Sequence, residues 1–206
     1  MTPRLAPVLI LAASLALCWT LAGHVARAGS AGRVVAANSP GMLESSANYS
    51  KSSNSWPDAF AGLPEAWDGH IGLPFAAGEG WTRTQGPHTA MYAGSPDVAV
   101  DFAPPDSPPC PGAPPSPHPV RAALPGVVDD TGPGYVSLRV ARDGTAVLLY
   151  HVEDAGKVAV GTRVEAGAAL GYVGCTYGMT TGPHVHIAMA RAGEWLSAPE
   201  EWIGGE

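Results

Sequence analysis

The stretch YVSLRVARDGTAVLLYHV, residues 135–152, decides how the rest of the chain is read. Its two arms, 135–140 and 146–152, are short, apolar and rich in Val and Leu, which suits strands better than helices. Asp143-Gly144 between them is turn chemistry. Stretches of the same kind recur on both sides, at 98–102, 120–123, 126–129, 169–173 and 184–190. Gly132-Pro133-Gly134 and Gly161-Thr162 punctuate them, and no run of ten or more residues in this region keeps a 3.6-residue apolar period. A mainly β, antiparallel sheet or sandwich domain is predicted.

The composition agrees with short strands and many turns. Of 206 residues, 46% are hydrophobic, enough for a core, while only 14% are charged. With 26 Gly and 21 Pro, that disfavours long surface helices. The length suits one domain plus a tail. Eleven basic residues against eighteen acidic ones give a net charge of −7, and no Lys/Arg run occurs. Nucleic acid is therefore not an expected partner.

Residues 1–28 read as a secretory signal peptide. Arg4 supplies the positive region, 5–22 is mostly apolar and uncharged, and Ala26-Arg27-Ala28 offers a cleavage site before Gly29. An uncleaved anchor is the competing reading, because an apolar run of about 18 residues approaches the length that spans a bilayer. Leu17 argues against lipidation of Cys18. Export would leave two cysteines, Cys110 and Cys175, and an even pair in an exported chain is expected to form a disulfide. Residues 29–71, polar and Ser/Asn-rich, read as a disordered spacer in which Trp56, Phe60 and Trp67 are placed to dock on the domain. The domain itself is assigned to 72–206. Within it, nine of the sixteen positions from Pro104 to Pro119 are proline, an extended loop that Cys110 would pin down.

The sharpest chemical feature is Gly182-Pro183-His184-Val185-His186. On a strand, residues i and i+2 share a face about 6.5–7 Å apart, so both histidines would enter one site while Val185 enters the core. The bland alternative is an exposed polar strand face. Tyr150-His151 ends another strand, where alternation puts His151 with Val147 and Leu149 and puts Tyr150 on the other face. His88 follows Gln85-Gly86-Pro87, read as a loop ahead of a strand. Asp101 lies in an apolar strand, where a carboxylate is costly unless paired, hydrogen-bonded or metal-bound. Two histidines and a carboxylate with a position open for water are a common catalytic zinc set.

These segments, together with the run Gly161, Val164, Gly167 and Gly171, resemble the M23 zinc metallopeptidases over about residues 72–196. Those are the lysostaphin-type and LytM-type cell-wall endopeptidases. The resemblance implies their barrel-sandwich-like fold and zinc held by His88, Asp101 and His186. It also implies acid/base and oxyanion roles for His184 and His151. Twelve residues separate His88 from Asp101, which resembles the longer spacing of the LasA-type branch and leaves Asp97 as a rival ligand.

The function implied is hydrolysis of peptide bonds in peptidoglycan cross-links by an exported monomer, at the cell envelope or outside the cell. Wall peptides are its expected partners, and a membrane enters only through an uncleaved N-terminal segment. A non-catalytic domain of the same fold, binding wall peptides or regulating another hydrolase, is the alternative. It would typically have lost a ligand, and none is missing. Residues 164–171 also look like half of a biotinyl or lipoyl domain, but outside the leader only Lys51 and Lys157 are available and neither fits a modified hairpin tip. No G-x-S-x-G occurs, and neither Cys110 nor Cys175 neighbours a histidine, so serine and cysteine peptidase chemistry has no support.

Overall fold

In a computed structural model, residues 58–91 and 94–203 are described. The segment expected to be a signal peptide, 1–28, and the expected spacer up to residue 57 lie outside them. Ten strands follow in order: β1 (Thr82–Thr89), β2 (Asp97–Ala103), β3 (Pro119–Arg121), β4 (Gly126–Gly132) and β5 (Tyr135–Arg139), then β6 (Thr145–Tyr150), β7 (Arg163–Val164), β8 (Ala169–Tyr172), β9 (Val185–Arg191) and β10 (Glu194–Leu196). A short helix, α1 (Glu200–Ile203), closes the described chain. Among the described residues no helix is long and apolar enough to cross a membrane.

The predicted antiparallel architecture is what forms. One sheet runs β1-β2-β9-β6-β5-β4-β7, with β10 beside β9, and β3 pairs with β8 in a second, two-stranded sheet. The arms of 135–152 become β5 and β6, which pair antiparallel from Tyr135 opposite Tyr150 to Arg139 opposite Ala146. Strict alternation then sorts their side chains. Val136, Leu138, Val147 and Leu149 enter the core with Val100 and Phe102 of β2 and Val185 and Ile187 of β9, all essentially buried. Val120 and Leu170, from the smaller sheet, close the same cluster from the other side. Full burial of each such side chain is worth roughly 1.5–3 kcal/mol, and this shared cluster makes the two sheets one body.

Four elements escape the alternation rule. β1 pairs with β2 through register shifts around Gln85 and His88, which hide β1 from a period-2 search. β7 and β10 have only two and three residues, and α1 has four. Trp202 of α1 is nevertheless fully buried, and its indole Nε1 donates to the Gly72 carbonyl at 3.0 Å.

Residues 58–71 lie on the domain. Leu63 and Ile71 are buried, Trp67 packs against the core, and Arg139 stands over the Phe60 ring at 5.3 Å. Arg163 donates to the carbonyls of Ala59 and Ala61, and Arg142 pairs with Glu65. Farther along the chain, Cys110 and Cys175 form the expected disulfide, with Cα atoms 5.7 Å apart. It joins the proline-rich loop to the segment preceding β9. Cys110 N–H to Thr181 O at 2.8 Å and Ser116 N–H to Val173 O at 2.8 Å reinforce that junction.

Candidate functional site

The site is built on one face of four adjacent strands. Asp101 of β2 sits opposite His186 of β9, and His186 sits opposite Tyr150 of β6, giving a row across three strands. The intervening residues Val100, Phe102, Val185 and Ile187 point into the core, so the sheet's pleat separates chemistry from packing. His184 immediately precedes β9, and its Nε2 lies 3.5 Å from Asp101 Oδ2.

His88 differs from its expectation as a loop residue: it belongs to β1, opposite Ala99. Gly-Pro in mid-run reads as a turn, but β1 is at the sheet's edge, where a proline costs no central ladder bond. Gly86 is required there. Its φ is +127°, and a Cβ would lie 2.8 Å from both the Ala99 oxygen and the Val100 Cα. Only a glycine lets β1 press this closely on β2 and deliver His88 to Asp101.

One atom each of His88, Asp101 and His186 lies within 4.8 Å of the others. His88 Nε2 is 2.9 Å and His186 Nδ1 is 3.1 Å from Asp101 Oδ1. Yet His88 Nε2 and Asp101 Oδ1 are buried without an aligned hydrogen-bond partner. His186 Nε2 stands 2.6 Å from the Ala90 carbonyl, which can only accept, so Nε2 carries a proton. In the neutral ring Nδ1 then presents a lone pair to a carboxylate oxygen. Acceptors facing each other at this distance need a positive charge between them, a proton or a cation, and two nitrogens with one carboxylate suit zinc. Burial raises the Asp101 pKa, but the close contact with His186, the charges of His184 and His186 and the contact with His88 outweigh it. The carboxyl is held below its ordinary value. Asp97 is elsewhere: it is exposed opposite Thr89 and accepts from the Thr89 hydroxyl at 3.3 Å.

His151 also departs from its expected placement. β6 ends at Tyr150, and His151 adopts φ +63°, so it does not share the core face of Val147 and Leu149. The left-handed step turns its ring to within 4.4 Å of the His184 ring, centroid to centroid. Its Nδ1–H donates to the Tyr177 carbonyl at 2.7 Å. His184 likewise spends Nδ1–H, on the Gly182 carbonyl at 2.8 Å, with the Thr180 hydroxyl 3.0 Å away. Both rings therefore present Nε2 as an acceptor when neutral. Burial and the His184 charge depress His151 to about 4, so it is neutral at physiological pH.

These residues floor a cleft of about 650 Å³, walled by Thr84 and Gln85 on one side and by Met179 and Thr180 on the other. The sequence did not point to Ala90, Tyr177 or Thr180. Ala90 and Tyr177 act through backbone carbonyls, which no side-chain motif can reveal.

Residues 112–198 match the model for peptidase family M23. The match includes His151, His184 and His186; the fold itself brings in His88 and Asp101, which precede it. Among solved structures, the deep-sea M23 metalloprotease pseudoalterin aligns at TM-score 0.53 and 24% identity, over 64% of this chain and 76% of that one. This likeness concerns the fold. The catalytic domain of the prophage-encoded M23 protein EnpA from Enterococcus faecalis, in the form of a mutant, aligns at 0.47 and 23%, over 63% and 95%. The catalytic domain of lysostaphin from Staphylococcus simulans aligns at 0.42 and 22%, over 57% and 88%. No curated protein matches the sequence. Residues 112–198 thus carry the match to peptidase family M23, on an antiparallel fold shared with a metalloprotease of that family.

Proposed function

We propose that this chain is a zinc endopeptidase that hydrolyses peptide bonds in peptidoglycan cross-links, with His88, Asp101 and His186 as the metal ligands. The observation that carries this reading is the meeting of three ligand atoms in one buried cluster, with two further histidines beside them. Zinc held there would lower the pKa of a bound water toward about 7 and polarise the scissile carbonyl.

The chain's own groups supply the rest. His184 is the general base: its Nε2 is an acceptor and stands 3.5 Å from the Asp101 carboxylate. The proton that His184 takes from the water goes on to the departing amine, and His151, whose ring stands 4.4 Å from that of His184 and whose cation is disfavoured, would pass it on rather than keep it. The family match supports a substrate drawn from the wall. A cleft whose described wall residues carry no Lys or Arg suits neutral backbone on either side of the bond. The disulfide is in keeping with export to the envelope or beyond, as a monomer. Mass spectrometry of purified murein digested by the mature protein tests the reading. New amine and carboxyl termini are expected in its cross-links, and their absence from a digest with metal-loaded protein refutes it.

A further inference from the structure

His151 is held by a small network that no motif marks. Glu153 and Asp154 follow it in sequence and reach back across the chain to one short turn, 175–178. Glu153 is buried, and its Oε1 accepts the Thr176 N–H at 3.1 Å. Asp154 accepts the Tyr177 hydroxyl, the Lys157 ammonium at 2.7 Å and the Gly134 N–H at 3.4 Å. Between these two anchors sits the Tyr177 carbonyl, the acceptor for His151 Nδ1–H. Gly174 N–H donates to the His151 carbonyl at 3.2 Å, so the same segment also holds the backbone of the left-handed residue. There is no slack: a Cβ on Gly178 would lie 2.6 Å from His151 Cε1, and one on Gly174 would lie 1.9 Å from Glu153 Oε1.

We infer that Glu153 and Asp154 are positioning residues for His151, acting through the Tyr177 carbonyl to keep the proton on Nδ1 and the acceptor Nε2 in the cleft. A neutral imidazole carries its proton on either nitrogen, and the hydrogen bond made by one nitrogen decides the state of the other. Releasing the turn removes that bias. The ring then rotates or changes tautomer, with its cleft nitrogen no longer a defined acceptor. The inference rests on the proposed acid/base role of His151 only where activity is read, because the tautomer itself is observable without turnover.

The test uses the full domain with both cysteines, and four variants. Glu153→Ala removes the buried anchor, and Glu153→Gln keeps an acceptor oxygen for Thr176. Tyr177→Phe deletes only the hydroxyl at the surface, a change that folding tolerates, and Asp154→Asn keeps one acceptor for it. Nitrogen-15 NMR of the His151 ring in metal-free protein should show the Nδ1–H form in wild type, Glu153→Gln and Asp154→Asn. Glu153→Ala and Tyr177→Phe should show loss or mixing of that form. In zinc-loaded protein, kcat should fall about tenfold to a hundredfold for Glu153→Ala and about fivefold for Tyr177→Phe. KM and metal content should be unchanged, and Glu153→Gln should recover most of the loss. An unchanged ring signature in both Glu153→Ala and Tyr177→Phe overturns the inference. So does a Glu153→Gln variant as impaired as Glu153→Ala. If wild type cleaves no wall peptide, the proposed function fails, and the NMR arm still decides the role of the two carboxylates.

Discussion

Asp101 and His186 face each other directly across the β2–β9 ladder, with His186 Nδ1 3.1 Å from Asp101 Oδ1. Because this pair is set by strand register, it forms with the sheet, before any ligand arrives. His88 approaches the same oxygen from the far side of β2. Removing either Asp101 or His186 therefore takes away one of three donors without disturbing the other two. Asp101→Ala and His186→Ala should lose most of the zinc. Asp97→Ala, whose carboxylate lies away from the cluster, should keep metal and activity. Elemental analysis beside murein hydrolysis decides it, and an Asp97→Ala protein without zinc would refute the ligand set.

His184 stands beside the same carboxylate but outside the proposed ligand set. His184→Ala should keep about one zinc per chain while hydrolysis falls by roughly 10²–10⁴-fold, the usual contribution of a positioned proton-transfer group. Loss of zinc in this variant, with retention in His186→Ala, would reverse the two roles.

A chelator such as 1,10-phenanthroline should abolish hydrolysis, and added zinc should restore it. Metal analysis of active protein should give one zinc per chain. Active protein with no metal would remove the basis of the reading.

The depressed pKa of His151 predicts a pH dependence with a definite sign. Its ordinary value is 6.5 and its folded value about 4. Between those values the unfolded chain binds one more proton than the folded one, so stability rises with pH there. Acidification from 6.5 toward 4 should thus cost metal-free protein up to about 3 kcal/mol from this group. His151→Gln should flatten that segment of the curve, as read by denaturant unfolding across the range. Equal slopes for the two proteins would show that His151 is not the group responsible.

The domain from residue 72 onward should show no alkylatable thiol, and reduction should expose two, Cys110 and Cys175. The Cys110–Cys175 bridge closes a loop with a sequence separation of 65. In the chain-entropy model its removal costs about 4 kcal/mol. Cys110→Ser with Cys175→Ser should show that loss in chemical denaturation.

What could be read beforehand was whatever alternation controls. The strands at 98–102, 135–140, 146–150 and 184–190 send every second side chain into the shared core, so their core positions and the shared face of His184 and His186 follow from the pattern. Asp101 stood out because a carboxylate in such a run needs a reason. His88 and His151 were recognised as residues but misplaced as geometry. The first lies on an edge strand broken in register, and the second lies one residue past a strand end in a left-handed conformation. Neither irregularity has a period. The carbonyls of Ala90, Tyr177 and Gly182, which set the tautomers, belong to the backbone and leave no trace in side-chain identity.

The position of His88 has one further consequence. It rides on β1, an edge strand, which among the described residues pairs with β2 alone, while Asp101 and His186 belong to strands paired on both sides. A cation shared by the three would fasten the margin of the sheet to its interior. Loading the site should therefore slow local fraying at 82–89 more than anywhere else in the domain. Amide hydrogen exchange would register the difference as metal-dependent protection that begins at β1 and fades toward β5.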